Sequence, residues 1–469
     1  MKITRRGFLI GAGVGVGTAA IGGTAAVKLL SPHEVYWANG AAAPKFPHIP
    51  AKPGDSLVVV GGGLVAIANS INALKRGLKV TIIAPNEPRR RASFGNAGVI
   101  AIGDTAPLGT PMNLEAAPSM LLDSEHPLSI RPSYAVQATP YLTRFALAST
   151  DDYVRASTKA LAWILGQATD AHFELAKESG TLDRLNPEGY FKVFKGEAAF
   201  NHFTQDELKY TREVGTPIEF LNDAQLRELE PGLSKEYTHG VMHPKSGNVQ
   251  LPGEYLRRLE EYAMSLGATR IVAEVKGFKK NGQKVEAVIT TSGEVQADHF
   301  VVSAGAWSKP LAAELGADIP LEPESGYHVM TKAREDDQRL RRSIYYSDLV
   351  TYSSPMDDQV RITTGLVYGG LNLEADYSLI HLKAQKAAAA HAGVGEVSEG
   401  SEWMGSRPSV PDHRPVIGHS PTFANAHFAF GHGHLGLTMS AITGKLLVES
   451  MFDQTPRPEL AAFSPERFS

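Results

Sequence analysis

Cysteine is absent from the 469 residues, which excludes disulfides, thiolate nucleophiles, iron–sulfur clusters and cysteine-ligated zinc in one step. Any redox chemistry must come from an organic cofactor or from histidine and carboxylate ligands. A surplus of one sign of charge is also missing. Forty-six Lys and Arg face 50 Asp and Glu, a net charge of −4, and the only dense basic run is Arg89-Arg90-Arg91, so a nucleic-acid partner is not expected. Internal repeats and low-complexity tracts are lacking beyond the amino-terminal segment. With 43% hydrophobic and 20% charged residues, the chain can bury one or two substantial cores and is not disordered.

At the amino terminus, Thr4-Arg5-Arg6-Gly7-Phe8-Leu9 forms a twin-arginine signature. It leads into 21 uncharged residues, Gly7 to Val27, seven of them glycine, followed by Lys28. That run is long enough to cross a bilayer, but its glycine and threonine make it only weakly apolar. Residues 1–43 are therefore expected to be an export signal, with small residues at Ala41, Ala42 and Ala43 for processing. The implied partner is the twin-arginine export machinery. The implied place is the periplasm or the outer face of the cytoplasmic membrane, with membrane association if the segment is retained.

After a proline-rich link, Pro44 to Pro53, comes VVVGGGLVA, Val58 to Ala66, then a helical run to Arg76, Gly77 as helix stop, and KVTII from Lys79 to Ile83. This order predicts a strand, a tight glycine turn, a helix and a second parallel strand, the opening unit of a dinucleotide site. Gly61 permits the turn, Gly63 lets backbone approach a pyrophosphate, and Ala66 stands where a third glycine would allow close packing. The acid expected at the end of the second strand is missing, and Ala84 takes its place. Either Glu87 or a backbone group substitutes, or dinucleotide affinity is reduced.

GGGLVA, followed by VTIIAPNEPRRRASFGNAG, resembles the start of the FAD-dependent D-amino-acid dehydrogenases, within the D-amino-acid oxidase superfamily. VVSAGAWSKPLAAELG (Val301 to Gly316), PLEPESGYHVM (Pro320 to Met330), MGSRPSVPDHRPVIG (Met404 to Gly418) and GHGHLGLTMSAITGKLL (Gly431 to Leu447) agree with it in order and spacing. The resemblance implies an α/β fold: a glutathione-reductase-like FAD-binding Rossmann domain with an inserted α+β substrate domain built on an antiparallel sheet. Its segments would be 54–110, 235–308 and 398–469 for the FAD, and 111–234 with 309–397 for the substrate. It implies non-covalent FAD and no metal. The cofactor would be held by Gly61, Gly63, Ala66, Ser93, Asn96, Ala97, Gly98, Val275, Gly305, Gly433, His434, Leu435 and Gly436.

The chemistry implied is oxidation of an amino acid, with Cα–H leaving as hydride to the flavin and electrons passing to a quinone or another respiratory acceptor. The protein then has to hold a carboxylate and aim the Cα–H. Arg361, on the strand after an Asp357-Asp358 turn, is the expected clamp, with a surface-strand salt bridge as the alternative. Tyr352 and Tyr327 are second candidates, each open to being a core tyrosine, and His328 and His243 are expected to make ordinary buried hydrogen bonds. His434 departs from the small hydroxyl residue usual in the family, which leaves it beside the flavin, on the substrate or in the interdomain core. Ser325 replaces an Arg of the family's ERGYH stretch. Tyr153 to Ser179 carries apolar residues at helical spacing and predicts one long amphipathic helix. A related oxidoreductase of N-methyl, cyclic imino or opine-type amines is the alternative function. A degenerate binding protein without turnover is the alternative from another class.

Overall fold

Short valine- and isoleucine-rich strands, buried on both faces, form the parallel sheet that carries the glycine turns. The computed structural model describes residues 48–453 and 457–468. The export signature lies outside them. Among the described residues no helix is long and apolar enough to cross a membrane.

The first sheet has six strands in the order Thr269–Ile271, Lys79–Ile83, Ser56–Val60, His299–Val302, Ala426–Phe430 and Val416–His419. All neighbours are parallel except the last pair. Helix Leu64–Lys75 follows the glycine turn, and Gly77 ends the turn after it with φ +85°. This helix packs on the carboxyl-terminal helix Gly436–Phe452 at close range: a Cβ at Gly444 would lie 2.5 Å from the Ala68 carbonyl carbon. No larger residue fits there without separating the two helices.

The second sheet is larger and mixed. Its backbone is the long strand Glu322–Ala333, which pairs antiparallel with Gln359–Tyr368 and with Trp403–Ser409. Gln359–Tyr368 turns back to Thr351–Met356 through Asp357 and Asp358, with Asp357 at φ +55°, as a two-residue hairpin requires. Beyond them lie Ser343–Tyr346, Tyr190–Phe194, His239–Met242 and Glu219–Leu221. The sheet is antiparallel, as the resemblance implies, except for two parallel joins, Ser343–Tyr346 on Tyr190–Phe194 and Leu128–Ile130 on Gln359–Tyr368.

Three placements differ from the sequence expectation. Tyr153 to Ser179 forms two helices, Asp151–Leu165 and Ala168–Glu178, because the chain turns at Gly166 and Gln167. That turn lets Leu161, Ile164 and Leu175 reach the same core as Met439 and Leu447 of the carboxyl-terminal helix, on the cofactor side and not the substrate side. Conversely, His239–Met242 and Trp403–Ser409 pair inside the large sheet, although the resemblance implies FAD segments at residues 235–308 and 398–469. Strand partners are set by contacts across the fold, which the linear order of segments does not reveal.

Candidate active site

A cavity of about 480 Å³ runs along the carboxyl ends of the parallel strands, past Gly61, Gly63, Ser93, Val275 and Gly305. Backbone makes most of its shape. Gly61 has φ +129°, and a Cβ there would sit 2.2 Å from the Ser303 carbonyl oxygen, so only glycine allows the turn. Gly63 caps helix Leu64–Lys75 without a side chain, and Ser93 takes over the task, its Oγ accepting from the Leu64 N–H at 3.0 Å. Gly63, Leu64 and Val65 at this helix start line the cavity, and free backbone N–H groups at a helix start suit a pyrophosphate. Arg91 also lines it, paired with Glu260 at 3.5 Å and lying where a side chain on Gly62 would collide with it. Val275 opens its strand in the wall, and Gly305 turns there at φ +57°. Ala84 is part of the wall, with Glu87 near it and bound to Arg90 Nη1 at 2.8 Å. These residues fit FAD: a glycine turn that admits no Cβ at Gly61, a helix start and a cation for phosphates, and a cavity along the strand ends for the ring systems. Ala66 does not line the cavity; it is buried in the helix core, where its small size serves packing.

A second cavity, of about 220 Å³, opens beside the first. The two share Asn96, Thr363, Arg407, His432, His434 and Leu437. Ala97, Gly98 and Leu435 line the second cavity and not the first. Asn96 shapes this corner, its Oδ1 accepting from the Gly98 N–H at 2.8 Å. Gly433 and Gly436 stay on the cofactor side. Tyr352 lies in the second cavity with Tyr345 and Lys192, whose Nζ is 3.0 Å from Asp104 and 3.3 Å from Glu207. Burial opposes the Lys192 charge, but the two carboxylates outweigh it and hold its pKa well above the ordinary value. His243 stacks on Tyr190 at the same end, and burial pushes its pKa down to about 4.

At the junction of the cavities stands a buried carboxylate. Glu324 is 1% exposed; its oxygens meet His434 Nε2 at 2.5 Å, Arg407 Nη1 at 3.1 Å and Ser409 Oγ at 3.2 Å. Burial raises its pKa, yet the imidazole of His434 and the guanidinium of Arg407 more than offset that and bring it down to about 2. Arg407 also donates to the Gly365 carbonyl at 2.9 Å and lies over Gly326, where a Cβ would be 2.2 Å from Nη2.

A family profile described as FAD dependent oxidoreductase matches residues 56–450. The chain belongs to this family of FAD-dependent oxidoreductases. It is 34% identical over 421 residues to a D-amino-acid oxidase of Bradyrhizobium diazoefficiens, covering 88% of this chain and 99% of that one. It is 25% identical over 429 residues to a D-amino acid dehydrogenase of the same organism, covering 88% and 99%. Among solved structures, glycine oxidase from Geobacillus kaustophilus superposes with a TM-score of 0.65 at 21% identity, over 87% of this chain and 98% of that one. L-amino acid deaminase from Proteus vulgaris gives 0.66 at 17% identity, over 92% and 97%. These likenesses show the fold.

Two residues expected at the substrate of this oxidoreductase lie elsewhere. Arg361 lines neither cavity; it is 5% exposed, with Nη1 donating to the Asn96 carbonyl at 2.8 Å and Nε 3.3 Å from Met330 Sδ. Burial alone lowers its pKa to about 9, and it has no carboxylate partner among the described residues. It braces the loop around Asn96 from behind. Tyr327 is buried in the core of the large sheet, edge-on to Tyr377, outside both cavities. His328, as expected, makes a buried hydrogen bond, Nδ1 to the Gly95 carbonyl at 2.7 Å, whereas neither ring nitrogen of His243 makes a hydrogen bond of good geometry among the described residues and its ring packs by stacking. Ser325 is fully buried opposite Ser406, so its departure from the family's arginine falls inside the sheet. Glu324, Arg407, Lys192 and Thr363 were not singled out by sequence. The signal available was a charged residue within each of two strand-forming runs, Glu324 in EPESGYHVM and Arg407 in WMGSRPS.

Proposed function

We propose that this oxidoreductase deaminates a D-amino acid oxidatively, outside the cytoplasmic membrane, and hands the electrons to a quinone or similar carrier. The observation that carries the substrate reading is the second cavity, closed on one side by the large sheet and open to the cofactor cavity at Asn96, Thr363 and His434. The long alignment with a relative named for D-amino acids supports the stereochemistry.

FAD, when bound, supplies the hydride acceptor for the substrate Cα–H. The chain's own residues do the rest. Gly61, Gly63 and Ser93 hold the helix start open for the pyrophosphate, and Arg91 offers it a cation. Arg407 replaces Arg361 as the carboxylate clamp: it lines both cavities, and Nε and Nη2 keep no hydrogen-bond partner among the described residues. Tyr352 stands in the opposite wall as a further donor. Burial of Lys192 between Asp104 and Glu207 closes the far end with satisfied charges, so a side chain there meets fixed dipoles and little water.

Export rests on Arg5 and Arg6. The test is one purified, flavin-loaded preparation offered D-, L-, N-methyl and cyclic amino acids, with oxygen or a quinone analogue as acceptor. Flavin bleaching by D-amino acids and reoxidation by the quinone is expected. Bleaching by L- or cyclic substrates alone would overturn the substrate reading, and rapid reoxidation by oxygen would overturn the acceptor. Replacing Arg5 and Arg6 with Lys should hold active protein in the cytoplasm; unchanged export would end that reading.

A further inference from the structure

An amino acid arrives in neutral water with its nitrogen protonated, and an ammonium has no lone pair to drive Cα–H out as hydride. A base beside the reacting end must remove that proton. Four histidines line the second cavity: His243, His413, His432 and His434. His243 lies at the far end, with Asp104 and Lys192. His432 is buried, its Nε2 on Thr443 Oγ1 at 3.0 Å, and burial pushes its pKa down to about 3. His413 is half-buried by exposure, and desolvation and then the neighbouring His434 hold its pKa down to about 4. Only His434 of the four is in contact with a carboxylate at the cavity junction.

That contact fixes which nitrogen is free. An ionised carboxylate can only accept, so Nε2 of His434 must carry hydrogen toward Glu324, which leaves the lone pair of the neutral ring on Nδ1. Nδ1 has no hydrogen-bond partner among the described residues, and the side chain keeps 31% of its surface open where both cavities meet.

We propose that His434 Nδ1 takes the proton from the substrate ammonium, with Glu324 as the positioning residue that holds the ring and its tautomer. The proposal rests on the reading that the substrate is an amino acid or amine. The balance is one proton: ammonium and neutral imidazole become neutral amine and imidazolium, and no electrons move in this step. The imidazolium is paired as it forms, because Glu324 already lies against Nε2, while Arg407, Ser409 and Tyr368 keep the carboxylate fixed at 3.1, 3.2 and 3.5 Å. The charged and titratable groups around His434 are Glu324 and Arg407 from the large sheet, His413 from the loop after it, and His432 on its own segment.

The holoenzyme tests this in two ways. With histidine labelled by nitrogen-15 and the oxidised enzyme at pH 8, the Cα-methyl analogue of the best substrate binds without being oxidised, since it has no Cα–H. At concentrations that perturb the flavin spectrum, the one ring absent from the His434→Gln spectrum should shift to the doubly protonated pattern; a ring that stays neutral overturns the proposal. Second, His434→Gln should keep its flavin but lose about 100-fold in kcat/KM at pH 7, recovering about tenfold per pH unit as the free amine becomes available. A variant profile parallel to wild type also overturns it. If no amine bleaches the wild-type flavin, the functional reading falls instead, so the two failures are distinguishable.

Discussion

The two cavities are built in opposite ways. The cofactor cavity takes its shape from backbone: consecutive turns at strand ends, Gly61 against Ser303, a helix start with Ser93 over it. The second cavity takes its character from side chains, Lys192, Tyr345, Tyr352, Thr363 and Arg407, which come from five different strands of the large sheet. A wall made of backbone demands glycine at fixed offsets and leaves a readable trace. A wall made of side chains asks only that one residue in two on each strand be the right one.

That contrast can be broken most forcefully at Gly61. Alanine there sets a Cβ against the Ser303 carbonyl at a φ that L-residues avoid, and should cost about 4 kcal/mol or more, with loss of flavin on purification. Thermal unfolding and the flavin absorbance of the purified variant check it; a yellow, stable Gly61→Ala protein would show that backbone does not shape this wall.

Next comes Glu324, the side-chain counterpart. Its folded pKa of about 2 lies below the ordinary 4.5, so its ionised form contributes stability above pH 4.5 that fades as pH falls toward 2. Glu324→Gln should be less stable by about 3 kcal/mol at pH 7. The gap should narrow as pH drops from 5 to 3, and urea denaturation across that range measures it. A gap that does not change with pH would remove the carboxylate's charge from the account.

The smallest effect is expected at Arg361. Its guanidinium is buried without a carboxylate partner, so an apolar residue of similar length removes a desolvated charge along with one hydrogen bond to a carbonyl and a weaker one to sulfur. Arg361→Met should leave stability within about 1 kcal/mol and kcat/KM within about tenfold. A 100-fold loss of kcat/KM with stability intact would return Arg361 to the substrate and sharpen the second cavity's boundary.

Much of the fold and of the cofactor site was legible before any coordinates. Gly61 and Gly63, read from the turn, and Ser93, Val275, Gly305, Gly433 and Gly436, implied by the family resemblance, all line the first cavity. Arg361 was misplaced for a reason the strand itself hides. On Gln359–Tyr368, Arg361 and Thr363 share one face, but only Thr363 reaches the junction; the loop around Asn96 lies across Arg361. Period-two alternation gives the face and is silent on what covers it. Arg407 was hidden differently: it reads as part of a proline-bounded motif, and its partner Glu324 sits on a strand joined to it only by register.

The order of strands in the parallel sheet also sets a timetable for synthesis. Ser56–Val60 has His299–Val302 as its neighbour, and that strand in turn pairs with Ala426–Phe430. Leu57 meets His299, and Phe300 meets Ala426, so each earlier-made strand waits for a partner made much later. Contacts of such high sequence separation are slow to form. The glycine turn at Gly61 emerges long before Gly433 and His434, although all three line the same cavity, so its wall is assembled from residues made far apart in time.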